Sequence, residues 1–86
     1  MAAFSVVLKP SVHRDLRGLP AGAVRRVWER IRALALDPLP AGTAKLAGAD
    51  RLYRVRVGDY RVVYGFDPGL REVVVHYVRH RREAYR

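Results

Sequence analysis

LYRVRVGDYRVVYGF, running from Leu52 to Phe66, settles the architecture of this chain. Tyr53, Val55 and Val57 alternate with Arg54 and Arg56. Tyr60, Val62, Tyr64 and Phe66 repeat the period of two that half-buried strands show. Gly58-Asp59 lies between the runs and is the kind of two-residue connection that closes a hairpin with a primed turn. Such a turn fixes the register. Val57 then faces Tyr60, Arg56 faces Arg61, Val55 faces Val62, Arg54 faces Val63 and Tyr53 faces Tyr64. Opposed residues share one side of a sheet. Tyr53, Val55, Val57, Tyr60, Val62 and Tyr64 therefore make a core face, and Arg54, Arg56 and Arg61 stand on the other. Like charges opposite one another cost stability on the scale of ~0.2–1 kcal/mol. A solvated basic face tolerates that cost, whereas an anion site makes use of it. Arginine's planar fork of donors matches phosphate oxygens, so this face is a candidate phosphate site.

Downstream, Asp67-Pro68-Gly69-Leu70 has Pro and Gly in the order that a type II turn prefers. Glu72 to Val78 reads as a strand with Val73, Val75 and Tyr77 on one face and Val74, His76 and Val78 on the other. Apolar residues on both faces predict a central strand, with His76 packed or hydrogen-bonded within it. Residues 79–86, RHRREAYR, are too few for a stable isolated helix and are expected as a basic tail or a docked turn at the edge of the arginine face.

Upstream, residues 39–50 carry Pro40, Gly42 and Gly48 and read as a loop, with a short anchored turn at Lys45-Leu46. From Pro20 to Leu36, Val24, Val27, Trp28, Ile31, Leu34 and Ala35 form a helical stripe, and at that spacing Trp28 belongs to the core. Asp37-Pro38 ends the helix. A shorter helix, capped by Ser11 and starting at Val12, aligns Val12, Leu16 and Leu19. Ala3 to Lys9 alternates and is expected as a strand that Pro10 terminates. The sum is an α+β domain spanning residues 1–86. Its order is β-α-α-β-β-β with a C-terminal helical turn, and a helical hairpin covers one face of a mainly antiparallel sheet.

The chain has 86 residues, enough for one modest core. Lys and Arg number 17 against 8 Asp and Glu, a formal net charge of +9 that favours a polyanionic partner. Cysteine is absent, which excludes disulfides and thiolate metal sites. No apolar run is long enough for a transmembrane helix, and the N-terminus lacks the layout of a signal peptide, so a cytoplasmic protein is expected.

No metal-ligand spacing and no Gly-rich phosphate loop is present, so no cofactor is expected. Ser5, Ser11 and Thr43 lack patterned acid–base partners, which argues against a serine-type hydrolase. The remaining cluster is Arg54, Arg56 and Arg61 with His80, Arg81 and Tyr85. Preorganised cations of this kind can promote attack of a ribose 2′-OH on its own phosphate, each well-placed donor contributing a factor of order 10²–10³. A tyrosine can stack on a splayed base. The same cluster can also hold RNA without cutting it.

The segment LYRVRVGDYRVVY and the ending HRREAYR, with Asp15 to Pro20 (DLRGLP) and Lys45 to Gly48 (KLAG), resemble the RelE branch of the RelE/ParE toxin superfamily over the whole chain. The resemblance implies a type II toxin that enters the ribosomal A site and cuts mRNA there without a metal ion. It also implies an antitoxin that wraps an extended segment over the basic surface. The free toxin is expected as a monomer that joins its antitoxin in a hetero-oligomer. By position, the family's catalytic residues fall on Arg54, Arg56, Arg61, Arg81 and Tyr85. The best-known pattern has lysines where this chain has Arg54 and Arg56. A guanidinium, with an ordinary pKa above ~12, rarely acts as a base. Arg56 is therefore expected to stabilise charge, and His80 is the candidate general acid or base because imidazole ordinarily titrates near ~6.5. Arg54, Arg56, Arg79, Arg82 and Arg86 are the candidate contacts to RNA. The competing expectations are a ParE-like inhibitor of DNA gyrase and a non-cleaving RNA-binding module.

Overall fold

The computed structural model describes residues 3–46 and 51–80. The elements are β1 (Ser5–Leu8), α1 (Pro10–Arg17), α2 (Ala21–Leu36), β2 (Ala44–Lys45), β3 (Tyr53–Val57), β4 (Tyr60–Asp67) and β5 (Glu72–His80). The strands form one sheet in the order β1-β5-β4-β3-β2. β1 runs parallel to β5, and the other neighbours are antiparallel. Both helices lie on one face, α1 against β5 and α2 across β1, β5 and β3. The expected α+β architecture is thus present, with β2 as an additional short strand, while the expected C-terminal helical turn lies outside the described residues. β2 replaces the anchored turn expected near Lys45, and the Leu46 N–H bonds the Leu52 carbonyl at 2.8 Å.

The hairpin has the register that its two-residue turn dictates, with all five expected pairs from Tyr53↔Tyr64 to Val57↔Tyr60. Gly58 takes φ 59° while Asp59 stays at negative φ, the pattern of a type II′ turn. The core is built from Val12, Leu16, Val27, Ile31 and Leu34 of the helices against Val55, Val62, Tyr64, Val73, Val75 and Val78 of the sheet. Ala23, Val27, Ile31 and Leu34 form the centre of the α2 stripe, while Val24 and Trp28 sit half-buried on its shoulder.

Three local expectations are corrected. β1 stops before Pro10 as expected, but α1 begins at Pro10 rather than at Val12, because the missing N–H of proline costs nothing in the first turn. Ser11 therefore lies inside the helix, and its hydroxyl donates to the His76 carbonyl at 2.5 Å instead of capping. The β4–β5 connection is not a type II turn, because Gly69 does not take positive φ. Asp67 Oδ1 instead accepts from the Gly69 and Leu70 N–H groups, and the left-handed residue is Arg71 at φ 52°. Third, β5 contains a bulge. The register shifts between Val63 and Tyr64, so that Tyr64 faces Val75 but Val63 faces Tyr77, and His76 is the extra residue. Beyond it the two faces exchange. Val78 joins Val73 and Val75 in the core, and Tyr77 moves to the face away from the helices.

α1 completes the sheet where β1 stops. β1 pairs β5 only as far as Val75. Past that point Ser11 binds the His76 carbonyl, and Asp15 Oδ2 accepts the Val78 N–H at 2.9 Å. Two side chains of one helix thus satisfy backbone groups that a strand would otherwise pair.

Candidate nucleic-acid interface

The hairpin and β5 set three arginines side by side on the face away from the helices. Arg56 pairs with Arg61, and Arg61 pairs with Arg79. The three do not have the same surroundings. Arg56 is exposed, whereas Arg61, in the middle, is only 7% exposed. Arg79 turns aside: its Nη1 lies 2.5 Å from Asp15 Oδ1, and its guanidinium carbon sits 4.8 Å from the centre of the Tyr77 ring. Asp15 thus holds Arg79 to α1 while accepting the neighbouring Val78 N–H. An expected RNA contact is engaged inside the protein.

Arg54 joins the row from one side. It faces Ala44 of β2 and Val63 of β4, and its side chain is half-buried. Gly42, Ala44, Arg54, Arg56 and Arg61 line a depression of about 420 Å³. Gly42 at φ 89° and Ala44 supply a wall without bulk, so the depression stays open in front of the arginines. Neither residue stands out in the sequence. The available signal is the run of small residues in Ala41-Gly42-Thr43-Ala44, just ahead of the strand that pairs with Arg54. A tight crossing shapes the rest of this face. The Arg51 carbonyl oxygen lies 2.9 Å from where a Cβ on Gly65 would stand, so only glycine fits there.

His80 is not part of the arginine row. The bulge at His76 puts it opposite Tyr60 on the helix-side face, the two rings meeting edge to face at 5.4 Å. Without the bulge, period two would have carried His80 to the arginine side. His76 is half-buried, and loss of hydration, helped by the positive charge of Lys9, lowers its pKa below the usual imidazole value. Arg81, Arg82, Tyr85 and Arg86 lie outside the described residues. Among the described residues no group of His, Cys, Asp or Glu is arranged to hold a metal ion, and no helix is long and apolar enough to cross a membrane.

The geometry is that of a small α+β domain with a concentrated basic depression beside a β-hairpin, suited to a phosphate-bearing ligand. The sequence profile described as ParE toxin of type II toxin-antitoxin system, parDE, matches residues 6–85. The chain belongs to the RelE/ParE family of type II toxins. It is 31% identical over 86 residues to a Methanocaldococcus jannaschii protein assigned as toxin RelE1, covering 96% of each chain. Its fold is similar to the archaeal RelE–RelB complex of Pyrococcus horikoshii, with a TM-score of 0.81 and 30% identity, covering 92% of this chain and 96% of that one. The toxin–antitoxin complex RelBE2 of Mycobacterium tuberculosis gives a TM-score of 0.79 and 27% identity, with 91% and 98% covered.

Proposed function

We propose that this toxin is an endoribonuclease that cuts mRNA in the ribosomal A site and is neutralised by a cognate antitoxin. The observation that carries the reading is Arg61, 7% exposed in a depression that it shares with Arg54 and Arg56. Water competes less for a guanidinium held low in a depression, so its attraction for phosphate is stronger than at an open surface. In the proposed reaction a ribose 2′-oxygen attacks the adjacent phosphorus and the bond to the 5′-oxygen breaks. The products are a 2′,3′-cyclic phosphate and a 5′-hydroxyl. The 2′-OH proton passes to ribosomal RNA or water, and the leaving oxygen takes a proton from water. Arg54, Arg56 and Arg61 stabilise the charge that grows on the non-bridging oxygens, and Arg81 and Tyr85 are assigned to the same site by family resemblance. Arg82 and Arg86 are assigned contacts to the RNA backbone. His80 is left without a catalytic role because its ring faces away from the arginines.

The related RelE chains of Pyrococcus horikoshii and Mycobacterium tuberculosis were solved with their antitoxins, which supports a protein partner of the same class here. A formal charge of +9 suits both an acidic antitoxin segment and an RNA-rich target in the cytoplasm.

Tightly controlled expression followed by primer extension on cellular messages tests the reading. Cuts confined to translated messages, lost in Arg61→Ala and retained in His80→Gln, are the expected result. The family description also names ParE, which favours a second reading as a DNA gyrase inhibitor. A DNA-damage response without mRNA cuts would replace the nuclease reading with that one.

A further inference from the structure

A second depression, of about 400 Å³, lies between α2 and the tip of the hairpin. Arg26, Arg30 and Arg56 converge on it, with Glu29 and Gly58 also in its lining. The fold builds it in a simple way. β2 pairs only with Tyr53 and Arg54, so β2 leaves the outer edge of β3 uncovered from Val55 to Val57. α2 passes beneath that edge. Arg26 and Arg30 stand one helical turn apart and so point along the same side of α2. Arg26 Nη2 lies 3.8 Å from where a Cβ on Gly58 would be, which brings its guanidinium to the hairpin turn.

Arg56 lines this depression and the arginine row alike. The two depressions therefore share a wall, and arginines continue from the open face, around the hairpin edge, onto α2, where Glu29 is the acidic residue among them. Arg25, Arg26 and Arg32 are all exposed, but Arg25 and Arg32 lie outside both depressions, and a solvated helix face accounts for those two. It does not account for two arginines of α2 meeting a third from the hairpin, where like charges repel.

We propose that the depression between α2 and the hairpin is a second phosphate subsite, which takes a neighbouring backbone phosphate of the single-stranded RNA held in the arginine row. The proposal rests on the RNA-cleaving reading for its ligand. Arg56 bridges consecutive phosphates, Arg26 and Arg30 bind the second, and Glu29 limits how much negative charge the subsite accepts.

The test uses the full chain and 2′-O-methyl RNA oligonucleotides, which 2′-OH attack cannot cut, one short and one long enough to reach both depressions. Affinity is measured against salt concentration. In the wild type the longer strand should bind more tightly and with the steeper salt dependence. Arg26→Ala/Arg30→Ala should remove that advantage and reduce the slope of log K against log salt by about 0.7 for each phosphate that is no longer neutralised. Glu29→Gln should tighten binding of the longer strand. Arg25→Ala/Arg32→Ala removes the same charge from the outer side of the same helix and should leave the length advantage intact. Thermal melts of each variant check that folding is unaffected. An unchanged slope in Arg26→Ala/Arg30→Ala, an equal fall in both double variants, or no binding by the wild type overturns the subsite. Cut messages in cells together with an unchanged slope leave the nuclease reading standing and remove the subsite. The expected slopes without any cut message do the reverse.

Discussion

Arg56 belongs to the proposed site and brings the fold an electrostatic cost. It is exposed, faces Arg61 across the hairpin and has no evident packing role. Arg56→Thr places a good strand former there and relieves the repulsion. Stability should rise by roughly 0.2–1 kcal/mol, read from denaturant unfolding, while RNA affinity falls. Tyr64 has the opposite character. It is fully buried, and its hydroxyl donates to the Pro38 carbonyl at 2.5 Å, tying the end of α2 to the sheet. Burial raises its pKa, consistent with a phenol kept neutral. Tyr64→Phe should cost about 1–2 kcal/mol, and the melting temperature should drop about 4–8 °C for each kcal/mol. His76 supplies a pH dependence. Its folded pKa lies below its unfolded value near ~6.5, so the unfolded chain binds the proton more readily. That contribution to stability is complete above about pH 6.5 and is lost as pH falls through the folded pKa. Melting temperature should therefore decline on acidification through this window, and less steeply in His76→Gln.

Among the elements, the hairpin is legible in the sequence and the bulge is not. Gly58-Asp59 leaves a single register, so alternation alone assigns Arg54, Arg56 and Arg61 to one face. β5 offers no such lever. Val73, Val74 and Val75 are apolar on both faces, so period two has nothing to reveal when His76 breaks it. The consequence falls on Arg79 and His80, whose faces are exchanged relative to the simple alternation. β2 escapes a sequence reading because two residues carry no period. Ser11 misleads because an N-cap and a hydroxyl bound to a distant strand look alike in sequence. The structural role of Asp15 is hidden in the sequence for a similar reason, yet it binds both the Val78 N–H and Arg79 and so welds α1 to the open side of β5. Asp15→Ala should cost about 1–3 kcal/mol, because it leaves a backbone donor without its acceptor. Hydrogen exchange at the Val78 amide should accelerate more than at Val62, in the neighbouring strand. Equal acceleration at both would show that the loss is global rather than at this edge.

Over the whole molecule, charge and topology act together. A formal charge of +9 in 86 residues already points to a polyanion, but composition does not say where it binds. The sheet order gathers part of that charge on one face. β4 lies between β3 and β5, so arginines remote in sequence become neighbours, and the middle one is the most buried. The α+β class is readable because each helix has one apolar stripe and the hairpin strands keep a period of two on their core face. The parallel pairing of β1 with β5 is not, because nothing local in Ser5–Leu8 marks a partner so distant in the chain. Function turns on whether the Arg54, Arg56 and Arg61 depression cuts RNA by attack of the 2′-OH. The decisive experiment adds the purified chain to ribosomes programmed with a defined message and weighs the fragments by mass spectrometry. The expected product is an upstream fragment ending in a 2′,3′-cyclic phosphate, with Arg61→Ala slower by a factor of order 10²–10³. Fragments ending in a 3′-hydroxyl, or cleavage that Arg61→Ala leaves at the wild-type rate, would refute 2′-OH attack in this depression.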